Sequence, residues 1–305
     1  MSAPAPSLPP AFHAERATRD GRARRLSFYV DGKGPPMLLV HSINAAASAY
    51  EMRPIFEQMR NRFRVRAVDL PGFGFSDRSN RDYTVRLFVD AVRDMLDAID
   101  AEQPNEPVIG VGLSLSCEFL ARAAVEVPDR FRALVLITPT GFNARSDSLR
   151  KPGATREVPG FMQLFHHPPW GRPLYDLLTK KGTIRYFLQR TYGSKDVPED
   201  MVQYDPLTSR QPGAHHAPWA FLSGRLFSKD IRSVYEQLDR PVWVPHGTRG
   251  DFSDFRGAEW TRQRSNWKVE PFETGALPHW ERPGEFFERF DAFLSALPPT
   301  HPGSQ

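Results

Sequence analysis

The chain has a single cysteine, Cys117, in 305 residues. That excludes an intrachain disulfide and a cysteine-based zinc site, and nothing asks for an oxidising compartment. No apolar run approaches the roughly 18 residues of a membrane span. There is no glycine-rich dinucleotide fingerprint with a downstream acid. The histidines make no metal-ligand cluster either, since His166–His167 and His215–His216 are adjacent pairs whose side chains diverge. The chain is therefore expected to work without a cofactor or metal. Excess charge is scarce as well. The formal net charge is +4, and most of it sits in residues 1–25, where five arginines (positions 16, 19, 22, 24 and 25) face Glu15 and Asp20. The remaining body is close to neutral, so no basic face for nucleic acid is implied.

Residues 1–25 are rich in proline, alanine and arginine and show no apolar periodicity. They are expected to form a disordered tail. The stretch lacks the apolar core of a secretory signal, and the cytoplasm is the expected location. From Leu26 onward, strand-like runs alternate with helix-period segments. Strands are expected at Leu26–Val30, Met37–Val40, Phe63–Asp69, Ala133–Ile137, Pro241–Val244 and Trp267–Phe272. Val85, Phe88, Val89, Val92, Leu96 and Ile99 recur at helical spacing behind Thr84, a plausible N-cap. Such alternation implies a parallel sheet with functional loops at the carboxyl ends of its strands. His41, Asp69, Ser114 and Thr138 fall at such ends. From about Phe142 to Arg240 the rhythm changes to aromatic-rich, helix-like runs without strand alternation.

The stretch Pro107–Cys117 organises the rest. A short apolar strand ends in Gly112-Leu113-Ser114-Leu115-Ser116, and a helix-like segment follows. A serine between small residues on a strand-to-helix turn is a candidate nucleophile elbow. The turn forces the serine into strained backbone and lifts its hydroxyl above the sheet. The N–H of Leu115, at a helix start, can then face a developing oxyanion.

Together with His41-Ser42-Ile43-Asn44, the loop Val68-Asp69-Leu70-Pro71-Gly72-Phe73-Gly74-Phe75-Ser76-Asp77 and the late segment Pro278-His279-Trp280-Glu281-Arg282-Pro283, this elbow resembles the α/β-hydrolase superfamily, in its capped serine-hydrolase branch. The resemblance implies an α/β-hydrolase fold, a mostly parallel sheet flanked by helices with an inserted helical cap. Residues 26–141 and 241–298 would form the core, 142–240 the cap, and 299–305 a frayed end. It also implies a nucleophile, an acid and a base in that chain order, met by Ser114, Asp251 and His279. The family's usual acid position reads Gly250 here. Asp251 fits if the turn carries an extra residue, with Asp254 as the alternative. The oxyanion donors would be the N–H groups of Ile43 and Leu115. Asn44 is expected to cap a turn, Asp69 to be structural, and Cys117 to be a small buried residue.

A serine at the elbow, where dehalogenases and epoxide hydrolases of this fold carry aspartate, points to acyl chemistry. The expected function is hydrolysis of a small to medium, partly apolar ester through an acyl-enzyme. The alternatives are a carbon–carbon bond hydrolase of ring-cleavage products and a non-catalytic ligand-binding relative, the latter motivated by departures at Ser42, Gly250 and Ser116. The expected partner is a small-molecule substrate, and the oligomeric state stays open.

Overall fold

The computed structural model describes residues 8–143, 151–166 and 171–299, so His167 and the expected fray beyond 299 lie outside the described residues. Eight strands make one sheet: β1 (Glu15–Gly21), β2 (Arg24–Asp31), β3 (Pro36–Val40), β4 (Arg64–Asp69), β5 (Val108–Leu113), β6 (Phe131–Ile137), β7 (Val242–Gly247) and β8 (Trp267–Phe272). Their order is β1-β2-β4-β3-β5-β6-β7-β8. β1 and β2 join antiparallel, and from β4 to β8 all neighbours run parallel. This is the α/β-hydrolase fold the sequence leads one to expect.

Three helices accompany the first half of the sheet: α1 (Arg53–Met59), α2 (Val85–Glu102) and α3 (Ser116–Glu126). Thr84 caps α2 as expected, its hydroxyl accepting from the Leu87 N–H. Between β6 and β7 come α4 (Phe161–His166), α5 (Gly171–Leu178), α6 (Lys181–Tyr192), α7 (Glu199–Ser209), α8 (His216–Leu222) and α9 (Ile231–Tyr235), with no strand of the sheet among the described residues. After β8 follow the one-turn α10 (Pro278–Glu281) and α11 (Pro283–Ser295).

The continuous apolar strands are explained by burial on both faces. Met37 and Leu39 of β3 meet α1 and α11 on one side, while Leu38 and Val40 meet α2 and α3 on the other. On β5 the same alternation puts Gly110 and Gly112 under α3. A Cβ on Gly110 would lie 3.0 Å from a Leu120 methyl, and one on Gly112 3.3 Å from the Cys117 Cα. Glycine there lets helix and strand close up, which sets the tightness of the turn between them. Cys117 is fully buried, as expected.

The arginine-rich start departs from expectation. Residues 15–21 form β1 and pair in register with β2, so the stretch from Glu15 to Arg25 is a hairpin and not part of a tail. Its arginines masked the signal, because they find partners. Arg22 pairs with Asp94 and Asp97 on α2, and the buried Asp94 also accepts from the Ala23 N–H at 2.8 Å.

Candidate active site

β3 and β5 are neighbours, with Val40 opposite Gly112, so the loops leaving their carboxyl ends lie side by side. One carries Ile43 and the other Ser114. Ser114 has φ of +56°, a left-handed conformation that costs a non-glycine residue and persists only where the surroundings enforce it. Its N–H donates to the Ile137 carbonyl at 2.9 Å, and the next turn of backbone starts α3. Ser116 is wholly buried, with its hydroxyl donating to the His41 carbonyl, which ties the two loops together. The strain and the α3 N-terminus are what an elbow requires.

Ser114, Ile43 and Leu115 line one cavity of about 120 Å³. Neither the Ile43 nor the Leu115 N–H is spent on another backbone group among the described residues. Both therefore remain available to a carbonyl oxygen. The loop that presents Ile43 is braced from below by Glu51. Its carboxylate accepts from the Ser42 N–H at 2.8 Å, the Ser42 hydroxyl at 2.9 Å and the Asn44 amide at 2.8 Å. Burial pushes the Glu51 pKa up, while these three donors oppose the rise. Serine at 42 thus does work that glycine could not, since its hydroxyl is one of the anchors. Asn44 also accepts from the Ala46 N–H at 2.8 Å, the turn cap expected of it.

His41 and Asp69 are structural. The His41 Nε2 accepts from the Leu70 N–H and its Nδ1 donates to the Ser42 carbonyl, so the ring is pinned neutral; burial drives its pKa down to about 3. Asp69 accepts from the N–H groups of Ala49 and Phe75. A Cβ at Gly74, φ +48°, would strike its carboxylate, which explains the glycine in that loop.

The expected base and acid are not brought to Ser114. His279 is fully buried on α10, and the cavity beside Ser114 is walled on that side by Ala276 and Leu277 instead. The His279 Nε2 donates to the Glu51 backbone carbonyl at 2.9 Å, a carbonyl shared with the Trp280 indole. The carbonyl only accepts, so Nε2 carries the proton. The bare Nδ1 is buried without a partner among the described residues. Burial lowers the pKa of this imidazole to about 4. Asp251 stands at the surface, its two oxygens taken by Arg190 at 2.6 and 3.0 Å. Asp254, on the same loop, is gripped by Arg256 at 2.9 and 3.1 Å. Neither carboxylate is hydrogen-bonded to His279. Gly250, φ +77°, turns the loop so that the Asp251 N–H meets the Arg190 carbonyl and Asp251 faces α6.

Ala276 is what sequence reading overlooked. Its N–H donates to the Thr191 carbonyl, and its carbonyl accepts from the Thr138 hydroxyl at 2.8 Å, so its methyl is held at the cavity wall. The signal was the position itself: a Gly275-Ala276 pair in the loop after β8, three residues nearer the sheet than His279. His246, the other histidine near a strand end, stacks on Phe255 with ring centroids 3.8 Å apart and does not line the cavity.

Comparison with known proteins agrees with this architecture. A model of the alpha/beta hydrolase family matches residues 37–289, and the chain belongs to that family. It is 29% identical over 217 residues to a pimeloyl-[acyl-carrier protein] methyl ester esterase of Shewanella woodyi, covering 70% of this chain and 75% of that one. It is also 29% identical over 119 residues to a 2-hydroxymuconate semialdehyde hydrolase of Pseudomonas sp. strain CF600, covering 38% and 41% of the two chains. Against uncharacterised mycobacterial relatives the match spans about a third of their length, 33%, at 32% identity. Among solved structures, a serine hydrolase involved in carbazole degradation superposes with a TM-score of 0.73 at 16% identity, over 92% of this chain and 98% of that one. No helix among the described residues is long and apolar enough to cross a membrane.

Proposed function

We propose that this chain captures a small, partly apolar ester or related carbonyl compound at Ser114, and that Ser114 reacts without an imidazole base. The observation that carries this is the cavity in which Ser114 and the unspent N–H groups of Ile43 and Leu115 converge while Ala276 forms the facing wall. A ligand carbonyl would place its oxygen on the two N–H groups and its carbon near the Ser114 Oγ. Those donors favour the tetrahedral species over the ground state, which is the part of hydrolase catalysis that needs no proton acceptor. Proton removal from Ser114 has no such help. Glu51, the carboxylate in the cavity lining, is committed to the Ser42–Asn44 loop. Asp251, expected as the acid, would serve that role only after leaving Arg190.

Oxyanion stabilisation and binding alone supply roughly 10³–10⁴-fold over water. Turnover of a p-nitrophenyl ester should stay within that range, and Ser114→Ala should remove only the part that passes through a Ser114 acyl-enzyme, leaving the remainder that the two N–H donors and binding supply. Mass spectrometry after incubation with a fluorophosphonate should find one adduct, on Ser114. Turnover a further hundredfold higher, or an adduct elsewhere, would overturn the reading. A second reading, full ester turnover, draws on the esterase relative and the intact elbow. Carbon–carbon bond cleavage draws on the semialdehyde hydrolase and is separated by assay of a vinylogous diketo acid.

A further inference from the structure

A larger cavity of about 330 Å³ adjoins the Ser114 cavity, and the two share Asn44, Leu188, Thr191, Phe221 and Phe252 in their walls. It lies between the Asn44–Ala46 loop and the helices inserted before β7. Its lining is mainly apolar, with Leu178, Ile184 and Phe187 facing in. One ionisable side chain in it has no partner among the described residues.

Asp205, on α7, is only 7% exposed and lines this cavity. Its carboxyl makes no hydrogen bond and no ion pair with any described residue. The charged groups around it are of its own sign. The charges of Glu51 and Asp200 act on it, and Asp200 is already shared by the Tyr50 hydroxyl and Arg53. Arg190 reaches the cavity wall, but both of its bonding edges are closed on Asp251 and Tyr186. The Asn44 amide is spent on Glu51 and Ser42. Buried carboxyls in folded proteins are almost always paired, because leaving one unpaired in an apolar site is costly. Here a cavity large enough for a ligand stands where the partner should be. A hydroxyl or carbonyl ligand could meet one proton of a neutral Asp205. Only a cation also answers the negative field of an unpartnered Asp205 beside the buried Glu51.

We propose that Asp205 is the specificity-determining residue for a ligand bearing a protonated amine, whose ammonium docks on Asp205 while its apolar chain runs along Leu188 and Phe221 toward Ser114. This assignment rests on the reading of the Ser114 cavity as the place where the ligand's carbonyl is held. No bond is made or broken at Asp205, and its part is recognition.

Calorimetric titration of the full chain with n-hexylammonium and with 1-hexanol tests it. Wild-type protein should bind hexylammonium at least tenfold more tightly than hexanol. Asp205→Asn should bring the two to parity, and Ser114→Ala should leave the preference intact. Hexylammonium should also slow fluorophosphonate labelling of Ser114 at concentrations where hexanol does not. Equal binding in the wild type, a preference that survives Asp205→Asn, or no binding of hexylammonium would overturn the proposal. The first comparison uses wild-type protein only, so it stands whether or not Asp205→Asn folds. Failure of the Ser114 reading shows separately, as absence of the Ser114 adduct.

Discussion

Placing a histidine at Ala276 should give the site the base that it lacks. The Ala276 methyl forms the wall of the Ser114 cavity, and its backbone is fixed by Thr191 and Thr138. An imidazole has five heavy atoms, and the cavity of about 120 Å³ holds several times the roughly 10–15 Å³ that one water requires. The new ring therefore has room to reach Ser114 without displacing β6 or β8. A positioned general base contributes about 10²–10⁴-fold. Without a carboxylate to select its tautomer, the gain should fall at the lower end, since removing that carboxylate from a complete triad costs about 10⁴. Ala276→His should thus raise the rate of p-nitrophenyl acetate cleavage by about 10²-fold, read in steady-state kinetics with Ser114→Ala in the same background as the blank. Adding Gly250→Asp is a poorer test. That position has φ of +77°, and a Cβ there would lie 2.6 Å from the Arg190 carbonyl, so gain of charge and loss of fold would be confounded. A folded Ala276→His protein with no increase would refute the claim that a missing base limits Ser114.

His279→Gln keeps an N–H donor for the Glu51 carbonyl and should leave phosphonylation of Ser114 within about threefold of wild type; a loss of a hundredfold, the least that a general base contributes, would restore His279 as the base. Asp251→Asn and Asp254→Asn should each stay within about tenfold in turnover and change urea stability by no more than about 1 kcal/mol, as expected of exposed ion pairs. Stability should depend on pH through His279. Its native pKa of about 4 lies below the ordinary 6.5, so the unfolded chain binds more protons. Stability is then full above pH 6.5 and falls as pH drops to 4. At about 1.4 kcal/mol per pH unit the loss amounts to about 3 kcal/mol, and urea midpoints for His279→Gln should show a correspondingly shallower slope.

What could be read from the chain followed how local each signal is. The β3, β5, β6 and β7 runs are apolar on both faces and are set off by proline or glycine, so period and punctuation were enough to place them. Ser114 was legible because an elbow needs small residues at fixed offsets within one turn. β1 was not, since its side chains are stabilised by partners distant in sequence, Asp94 and Asp97, and by a register with β2 that no local period encodes. His279 and Asp251 failed for a related reason. Their identities and order suited a triad, but a side chain's direction depends on the turn that carries it. Pro278 starts α10 one residue before His279, which turns that ring toward Glu51, and Gly250 turns Asp251 toward Arg190. Asp205 carries no motif at all. It stands out only once burial, cavity and missing partner are seen together.

The central claim, that Ser114 reacts without an imidazole, is tested most directly by the pH dependence of its phosphonylation by a fluorophosphonate. With no base in the cavity, the rate should follow hydroxide and rise about tenfold per pH unit between about pH 6 and 9. A rate that levels off with a midpoint near about 6.5, the ordinary range of histidine, would contradict it.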